Sequence, residues 1–384
     1  MTEAKDTHPS STHPPLPPTS EDDQFTRLRL LRSRRVGIAT YQRLLIEHGT
    51  ALNALAALPE VARAAGVSNY IICSEAIIDT ELKMARNIGA RLVEKGTLDY
   101  PAALADLSDA PPFLWVLGDS RLLKRPMIAM VGARNASSLG TRMARRLAGD
   151  LGAAGYVVVS GLARGIDAAA HLAALDSGTI AVQAGGVDTI YPAENAELAR
   201  NLGKNGLRIS EQPMGLQPMA RHFPARNRII SGLAQATIVV EAAANSGSLI
   251  TARDALDQGR EVLAVPGHPM DARASGCNML IRDGATLVRS AQDVLEALAP
   301  LAATQQPELS LVIPEAPQKD NRSLRESADL HSQILSRLGP SPLAEDQLIR
   351  DLGRPAAKIT PALVELEPDG SIDRAPGGLL TRAS

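Results

Sequence analysis

The sequence predicts an α/β protein: a mostly parallel sheet with helices on both faces, a small helical domain before it and a winged helix after it. Three observations carry this. Between Phe113 and about Leu298, short β-branched runs alternate with helical runs across glycine-rich turns, as strands joined by crossover helices do. Ahead of that region, apolar residues recur at three-to-four spacing with glycine stops, which is the helical period. Behind it, three helical stretches precede two short strands, the winged-helix order.

Composition bounds what such a protein can do. At 384 residues the chain is comfortable for two or three domains, and 45% hydrophobic content supports a sizeable core. The net charge of −2 offers no global attraction to nucleic acid, so any such site must be local. Aromatic residues are only 2% of the chain, too few to pave a surface with base-stacking rings. Cys73 and Cys277 stand far apart, with neither a disulfide framework nor a zinc spacing. The start lacks the apolar run of a signal peptide, and no stretch is long and apolar enough to span a bilayer. The expected setting is cytoplasmic and reduced.

Each part is justified in turn. Residues 1–23 are rich in Pro, Ser and Thr and are expected to be a disordered tail. Residues 24–108 contain "FTRLRLLRS", "IATYQRLLIEHG", "ALNALAALPEVARAAG" and "EAIIDTELKMARNIGARLVEKG", short helices suited to a sterile-alpha-motif or helix-hairpin-helix domain. Such modules bind DNA backbone in some proteins and only pack or bind protein in others; the second role is the simpler expectation. Residues 109–300 hold the sheet. Residues 301–326, polar and proline-containing, read as a linker. Residues 327–384 form the winged helix, with the closing hairpin around Pro376, Gly377 and Gly378. Acids slightly outnumber Lys and Arg across Lys319 to Ser384, whereas a groove-reading module should be basic. Protein contact or spacing is therefore the favoured role for this tail.

In a parallel sheet, ligands sit at the carboxyl ends of the strands. Three strand-to-helix junctions there combine small residues with polar donors. The first has Gly132, Ala133 and Arg134, with Arg134 where an anion would approach the next helix. The second has Ser160, Gly161, Arg164 and Gly165, with Asp167 placed to cap the helix. The third has Ser246, Gly247, Ser248 and Thr251 opening a helix, a candidate phosphate nest. The stretch "ARHFPARNRIISG" lies on the long connection between two strands and can fold over the same crevice. Arg221, His222, Arg226, Asn227 and Arg228 would supply donors, and Phe223 one ring for a base. For Arg226 and Arg228 the bland alternative, a buried ion pair or carbonyl clamp, stays open.

Other residues weigh less. The first junction is not GxGxxG, so a dinucleotide is poorly supported. Asp167 and His171 stand at i, i+4 without a third ligand, so a cap and a packed histidine are preferred to a metal site. Glu241 and Glu211 lack partners that would assemble a catalytic set. No metal or cofactor is expected.

"MVGAR", "SGLARGIDAAAH", "GGVDTIYPAEN", "ISEQP", "FPARNRIISGL", "VVEAAANSGSLITARDA", "AVPGHP" and "SGCNMLIRDGA" occur in this order. Together, over about Tyr100 to Asp293, they resemble the bacterial DNA-processing protein A family, DprA or Smf, in its long form with helical front and winged-helix tail. The resemblance implies an extended Rossmann-like domain without established catalysis. It implies a binder of single-stranded DNA that receives and protects incoming strands, usually in natural transformation, and loads the RecA recombinase. It also implies a homodimer formed near Cys277 to Leu287. The family's phosphate motif falls on Gly132, Ala133 and Arg134, with Ala133 in place of the usual serine or threonine, and its stacking aromatic on Phe223. Ala220 stands where many members have lysine, a role Arg221 or His222 could take over. The alternative is a nucleotide or nucleoside hydrolase of a related fold, against which "ANSGSLIT" replaces the expected Pro-Gly-Gly-x-Gly-Thr.

Overall fold

The computed structural model describes residues 20–299, 324–339, 341–375 and 378–383. Most of the expected disordered tail (1–19) and of the expected linker (301–323), with Pro376 and Gly377, lie outside the described residues. The chain divides into two compact units, Met1–Pro300 and Leu301–Ser384.

The first unit opens with four helices, α1 (Ser20–Arg32), α2 (Ile38–His48), α3 (Ala51–Ala64) and α4 (Glu75–Ile88). Their apolar faces meet in a core of Leu28, Leu44, Leu55 and Ile78. Thr50 caps α3 by accepting from Asn53 N, which satisfies a donor the helix start leaves free. The sequence expectation of helix through "NIGARLVEKG" fails at Gly89. That residue adopts the left-handed conformation (φ 73) and closes α4, as glycine does at helix ends. The chain then enters β1 (Arg91–Glu94), which pairs antiparallel with β2 (Phe113–Gly118). The front helices thus run directly into the sheet, and Phe113 and Trp115 of β2 belong to their core. The short α5 (Ala102–Ala105) lies between these strands.

The sheet continues as β3 (Met127–Val131), α6 (Ser138–Ala153), β4 (Val157–Ser160), α7 (Ile166–Ala174), β5 (Thr179–Val182), α8 (Ala196–Asn205), β6 (Leu207–Ser210) and α9 (His222–Leu233). It ends with β7 (Ala236–Val239), α10 (Ser248–Asp257), β8 (Glu261–Ala264), α11 (Ser275–Arg282), β9 (Thr286–Leu287) and α12 (Ala291–Leu298). The order is β1-β2-β6-β5-β4-β3-β7-β8-β9. From β6 to β9 every pairing is parallel; β1 and β2 are antiparallel. Met127 to Val131 is buried throughout, as expected for a strand covered on both faces. Leu104, Ile229, Ile230, Leu233 and Ala252 cover one face, and Ala144, Leu147, Leu151, Ile166 and Val294 the other. The chain winds from β3 outward through β4, β5 and β6, then crosses back through α9 to β7 on the far side of β3. The switch in strand order therefore falls between β3 and β7.

The second unit contains α13 (Leu324–Arg337), β10 (Leu343–Ala344), α14 (Glu345–Leu352), α15 (Ala356–Leu366), β11 (Ile372–Ala375) and β12 (Leu379–Arg382). Ile334, Leu348, Leu363, Ile372 and Leu380 form its core. The strands make a small sheet in the order β10-β12-β11, so the fold is a winged helix. Among the described residues no helix is long and apolar enough to cross a membrane.

Candidate functional site

A crevice of about 750 Å³ opens at the switch point, lined by Gly132, Ala133, Arg134, Phe223, Arg226, Asn227, Asn245 and Arg273 among others. It is the expected position for a ligand in an open α/β sheet. Gly132 ends β3 against α7 and the β7 exit; a Cβ there would stand 2.6 Å from Ile166 and 3.0 Å from Glu241 O. Gly165 has φ +75, and a Cβ on it would strike Ala133 O at 2.2 Å. These two glycines let the first and second junctions touch.

Two of the three junctions expected to offer donors to a ligand are already filled by the protein's own carboxylates, a correction to that expectation. At the start of α6, Glu241 accepts from Ser137 N at 3.2 Å and Ser137 Oγ at 2.8 Å. Gly140 makes room for it, since a Cβ would lie 2.0 Å from Glu241 Oε2. The Glu241 carboxylate thus takes the place at the helix N-terminus where an anion would bind. At the second junction, Asp167 accepts from Gly161 N (3.1 Å) and Ala163 N (3.3 Å). It holds the turn before α7 and makes no cap bond to the helix, whose first turn follows Gly165 without a side-chain cap. Burial pushes the Asp167 carboxyl above its usual range, while Arg226 and the backbone donors oppose the shift. At the third junction, Ser246 Oγ and Ser248 Oγ share a 2.7 Å hydrogen bond. Among the described residues no carboxylate binds the start of α10. Ser246, Gly247, Ser248 and Thr251 all line the crevice.

The stretch expected on a loop is the helix α9. Arg226 lies on its inner side, buried, with Nη1 donating to Gly161 O at 2.6 Å and to Val182 O. Burial lowers its pKa to about 10, and Asp167 resists the change. It is a carbonyl clamp at the crevice floor. Gly161 exists for it: a Cβ would sit 2.6 Å from the guanidinium. Arg228, two residues on, points away from the crevice. It pairs with Glu211 at 2.5 Å and with Asp109 at 3.5 Å. The bland readings held open for both arginines are thus the ones the geometry adopts.

Other expected residues scatter. Ser160 is fully buried and donates to Met130 O, so it faces the sheet. Arg164 is exposed and 3.5 Å from Glu194, outside the lining. Arg221 precedes α9 and is exposed. His222 accepts from Met219 N through Nδ1, and burial lowers its pKa. Ala220 does line the crevice. What remains at the crevice besides Asn227 and the start of α10 is Arg134 and Phe223. The guanidinium carbon of Arg134 lies over the Phe223 ring, 5.2 Å from its centroid, a cation–π contact.

Four participants escaped the sequence reading. Asn245 and Arg273 line the crevice, and Arg273 is tied to Asp271 at 3.0 Å with Glu241 at 3.6 Å. Ser137 anchors Glu241. Tyr191 stands against Phe223, ring centroids 5.6 Å apart. An aromatic flanked by "YPAEN" turn residues in so ring-poor a chain was the available signal for Tyr191; nothing in the sequence marked the others.

Comparison with known proteins decides the family. A family model described as "DNA recombination-mediator protein A" matches residues 91–299. The DNA processing protein DprA of Streptococcus pneumoniae is 39% identical over 277 residues, covering 71% of this chain and 98% of the relative. The chain belongs to the DprA/Smf family. Two further family models, a DprA-like N-terminal HHH domain at residues 21–84 and a DprA winged helix domain at 317–378, match the flanking parts. Protein Smf of Escherichia coli is 39% identical over 285 residues, 73% of this chain and 74% of that one. Among solved structures, S. pneumoniae DprA superimposes with a TM-score of 0.57 at 38% identity, covering 66% of this chain and 91% of the other. A Helicobacter pylori DprA, described by its single-stranded DNA binding mode, gives 0.51 at 30% identity over 54% of this chain and 95% of that one. The DprA/Smf assignment accords with the Rossmann-like sheet, the helical front and the winged-helix tail.

Proposed function

We propose that the chain binds single-stranded DNA in the crevice between β3 and β7, protects incoming strands and passes them to the RecA recombinase. The observation that carries this is Arg134 lying on Phe223 at the mouth of the crevice, in a chain whose net charge is only −2. One guanidinium and one ring at the same place suit a phosphate and its base. The open start of α10, with Ser246 and Ser248, offers the next phosphate its donors. The H. pylori relative has a single-stranded DNA binding mode, which supports the same ligand here. The protein acts in the cytoplasm and without catalysis. A nucleotide hydrolase would need Glu241 free to activate water, and that carboxylate is engaged by Ser137 and faces Arg273. The partner surface for a homodimer is α11 with the edge strand β9, where Leu287 is 40% exposed; Cys277 itself is buried.

The test is a gel-shift titration with single-stranded and duplex oligonucleotides over a range of salt, repeated with RecA. Tighter binding to the single strand is expected, with each neutralised phosphate adding about −0.7 to the log–log salt slope. Equal preference for duplex, or no salt dependence, would remove the crevice as the DNA site.

A further inference from the structure

Tyr191, in the "GGVDTIYPAEN" stretch, was not among the residues expected at the crevice, yet it is the one best placed to extend it. It is 49% exposed in a chain with nine aromatic residues, of which Tyr41, Tyr100, Phe113 and Trp115 are buried. An exposed ring costs free energy to keep in water and gains it back when covered. Tyr191 lies against Phe223 with centroids 5.6 Å apart and the ring planes at 51°. Phe223 meanwhile carries Arg134 over its face. In the free protein, then, Tyr191 is the uncovered ring of the pair.

Its setting is held firmly. Asn195 Nδ2 donates to Leu162 O at 2.9 Å and to Ala163 O at 3.1 Å, so the segment from Tyr191 to Asn195 is tied to the second junction. Ala163 itself lines the crevice. Next to it Arg164 pairs with Glu194 at 3.5 Å, both side chains 61% exposed. A solvated pair of this kind holds weakly, so the Arg164 guanidinium can exchange Glu194 for a phosphate. The ring thus adjoins Phe223 and the guanidinium follows Ala163, each next to a residue that lines the crevice.

We infer that Tyr191 stacks a second base of the bound single strand, adjacent to the one at Phe223, and that the strand leaves the crevice across it toward Arg164. This rests on the single-strand reading above. Because every base has a π-face, such a shelf adds affinity without adding sequence preference.

The test uses fluorescence anisotropy with the full chain and two probes of about six units, an oligothymidylate and an all-abasic deoxyribose-phosphate strand of equal length. Tyr191→Leu keeps apolar bulk and removes the ring; Tyr191→Phe keeps the ring. Tyr191→Leu is expected to lose about 5- to 150-fold on oligothymidylate, the range for one stacked base, and nothing on the abasic strand. Tyr191→Phe should bind both as the parent does. An equal loss on both probes would make Tyr191 a packing residue and overturn the inference. So would an unchanged Tyr191→Leu beside a weakened Phe223→Leu, which would leave the crevice reading standing. If Arg134→Ala and Phe223→Leu also bind like the parent, the crevice reading itself falls and this inference with it.

Discussion

Arg226 and Arg228 look interchangeable as letters and do opposite things as side chains. Arg226 donates to two backbone carbonyls in a buried setting, with the Asp167 carboxyl nearby. Truncating it leaves buried acceptors without their charged donor, which typically costs about 1–3 kcal/mol for each. Arg226→Ala should therefore melt far below the parent, and Arg226→Lys should recover little, since an ammonium cannot reproduce the fork. Arg228→Ala should also melt lower, because Glu211 loses its partner. Its remaining folded molecules should bind single-stranded DNA as the parent does. Arg134→Ala should show the reverse, normal melting with weakened binding. Thermal melting and binding measured on the same samples decide between these outcomes.

His171, beside this pair, gives the fold a pH dependence. Its Nδ1 is 2.7 Å from Thr179 Oγ1, which in turn donates to Val158 O. The imidazole must then donate from Nδ1, and its buried Nε2 has no partner. Burial, reinforced by Arg226, lowers its pKa from 6.5 to about 3. Above pH 6.5 the residue is neutral folded or unfolded and contributes no pH dependence. Between about 6.5 and 3 the unfolded chain takes up a proton that the folded chain refuses, so stability falls as pH falls. Asp167, shifted upward, opposes this from the ordinary carboxylate range up to its raised folded pKa, equally in parent and variant. Melting curves of the parent and of His171→Gln should converge in slope at neutral pH. Toward pH 4.5 the parent should lose more of its melting temperature, and parallel curves would place the acid sensitivity elsewhere.

At the scale of elements, the register of α9 explains why part of the site was legible in sequence and part was not. The crevice itself followed from glycine-rich junctions at strand ends. Which arginine entered it did not. Written on a loop, both could turn inward; on a helix, residues two apart diverge by about 200°. The helix was hidden by Pro224, which sits in the first turn, where its missing N–H is no loss. β1 was hidden in the opposite way, since apolar spacing ran on past Gly89 and only its left-handed backbone broke the helix. The Glu241 plug could not be read at all, because it depends on contacts across 104 residues. Asp167 was read as a helix cap, and only the turn geometry shows that it binds the loop before the helix instead. The junction between front helices and sheet makes a prediction at this scale. Glu81 of α4 accepts from Trp115 Nε1 at 2.7 Å and from the guanidinium of Arg32 at 2.8 Å. At 4% exposure it ties α1 and α4 to β2. Glu81→Ala would strand both donors in a buried site, so a loss of about 3 kcal/mol or more is expected. Chemical denaturation should show it as a lower midpoint, and an unchanged midpoint would mean the helices are held by apolar packing alone.

At the scale of the whole molecule, a net charge of −2 requires that nucleic-acid affinity come from a local concentration of donors. The two units differ in this respect. The first holds the crevice with Arg134, Phe223 and the serine-lined start of α10. The second is a small winged helix whose Arg374 is committed to Glu345 and Glu367, and whose acids slightly outnumber its Lys and Arg. Long-range attraction is screened beyond about 8–10 Å at physiological salt, so the second unit has little to offer a phosphate backbone from a distance. Removing residues 324–384 should accordingly leave single-strand affinity within about twofold and the salt slope unchanged, since that slope counts the phosphates neutralised. The first unit has its own cores on both sheet faces, so the truncated protein should melt cooperatively. A large drop in affinity from a normally melting truncation, with a shallower slope, would move phosphate contacts into the winged helix. An unchanged slope with loss of the proposed handover to RecA would instead give that unit the protein-contact role its charge balance suggests.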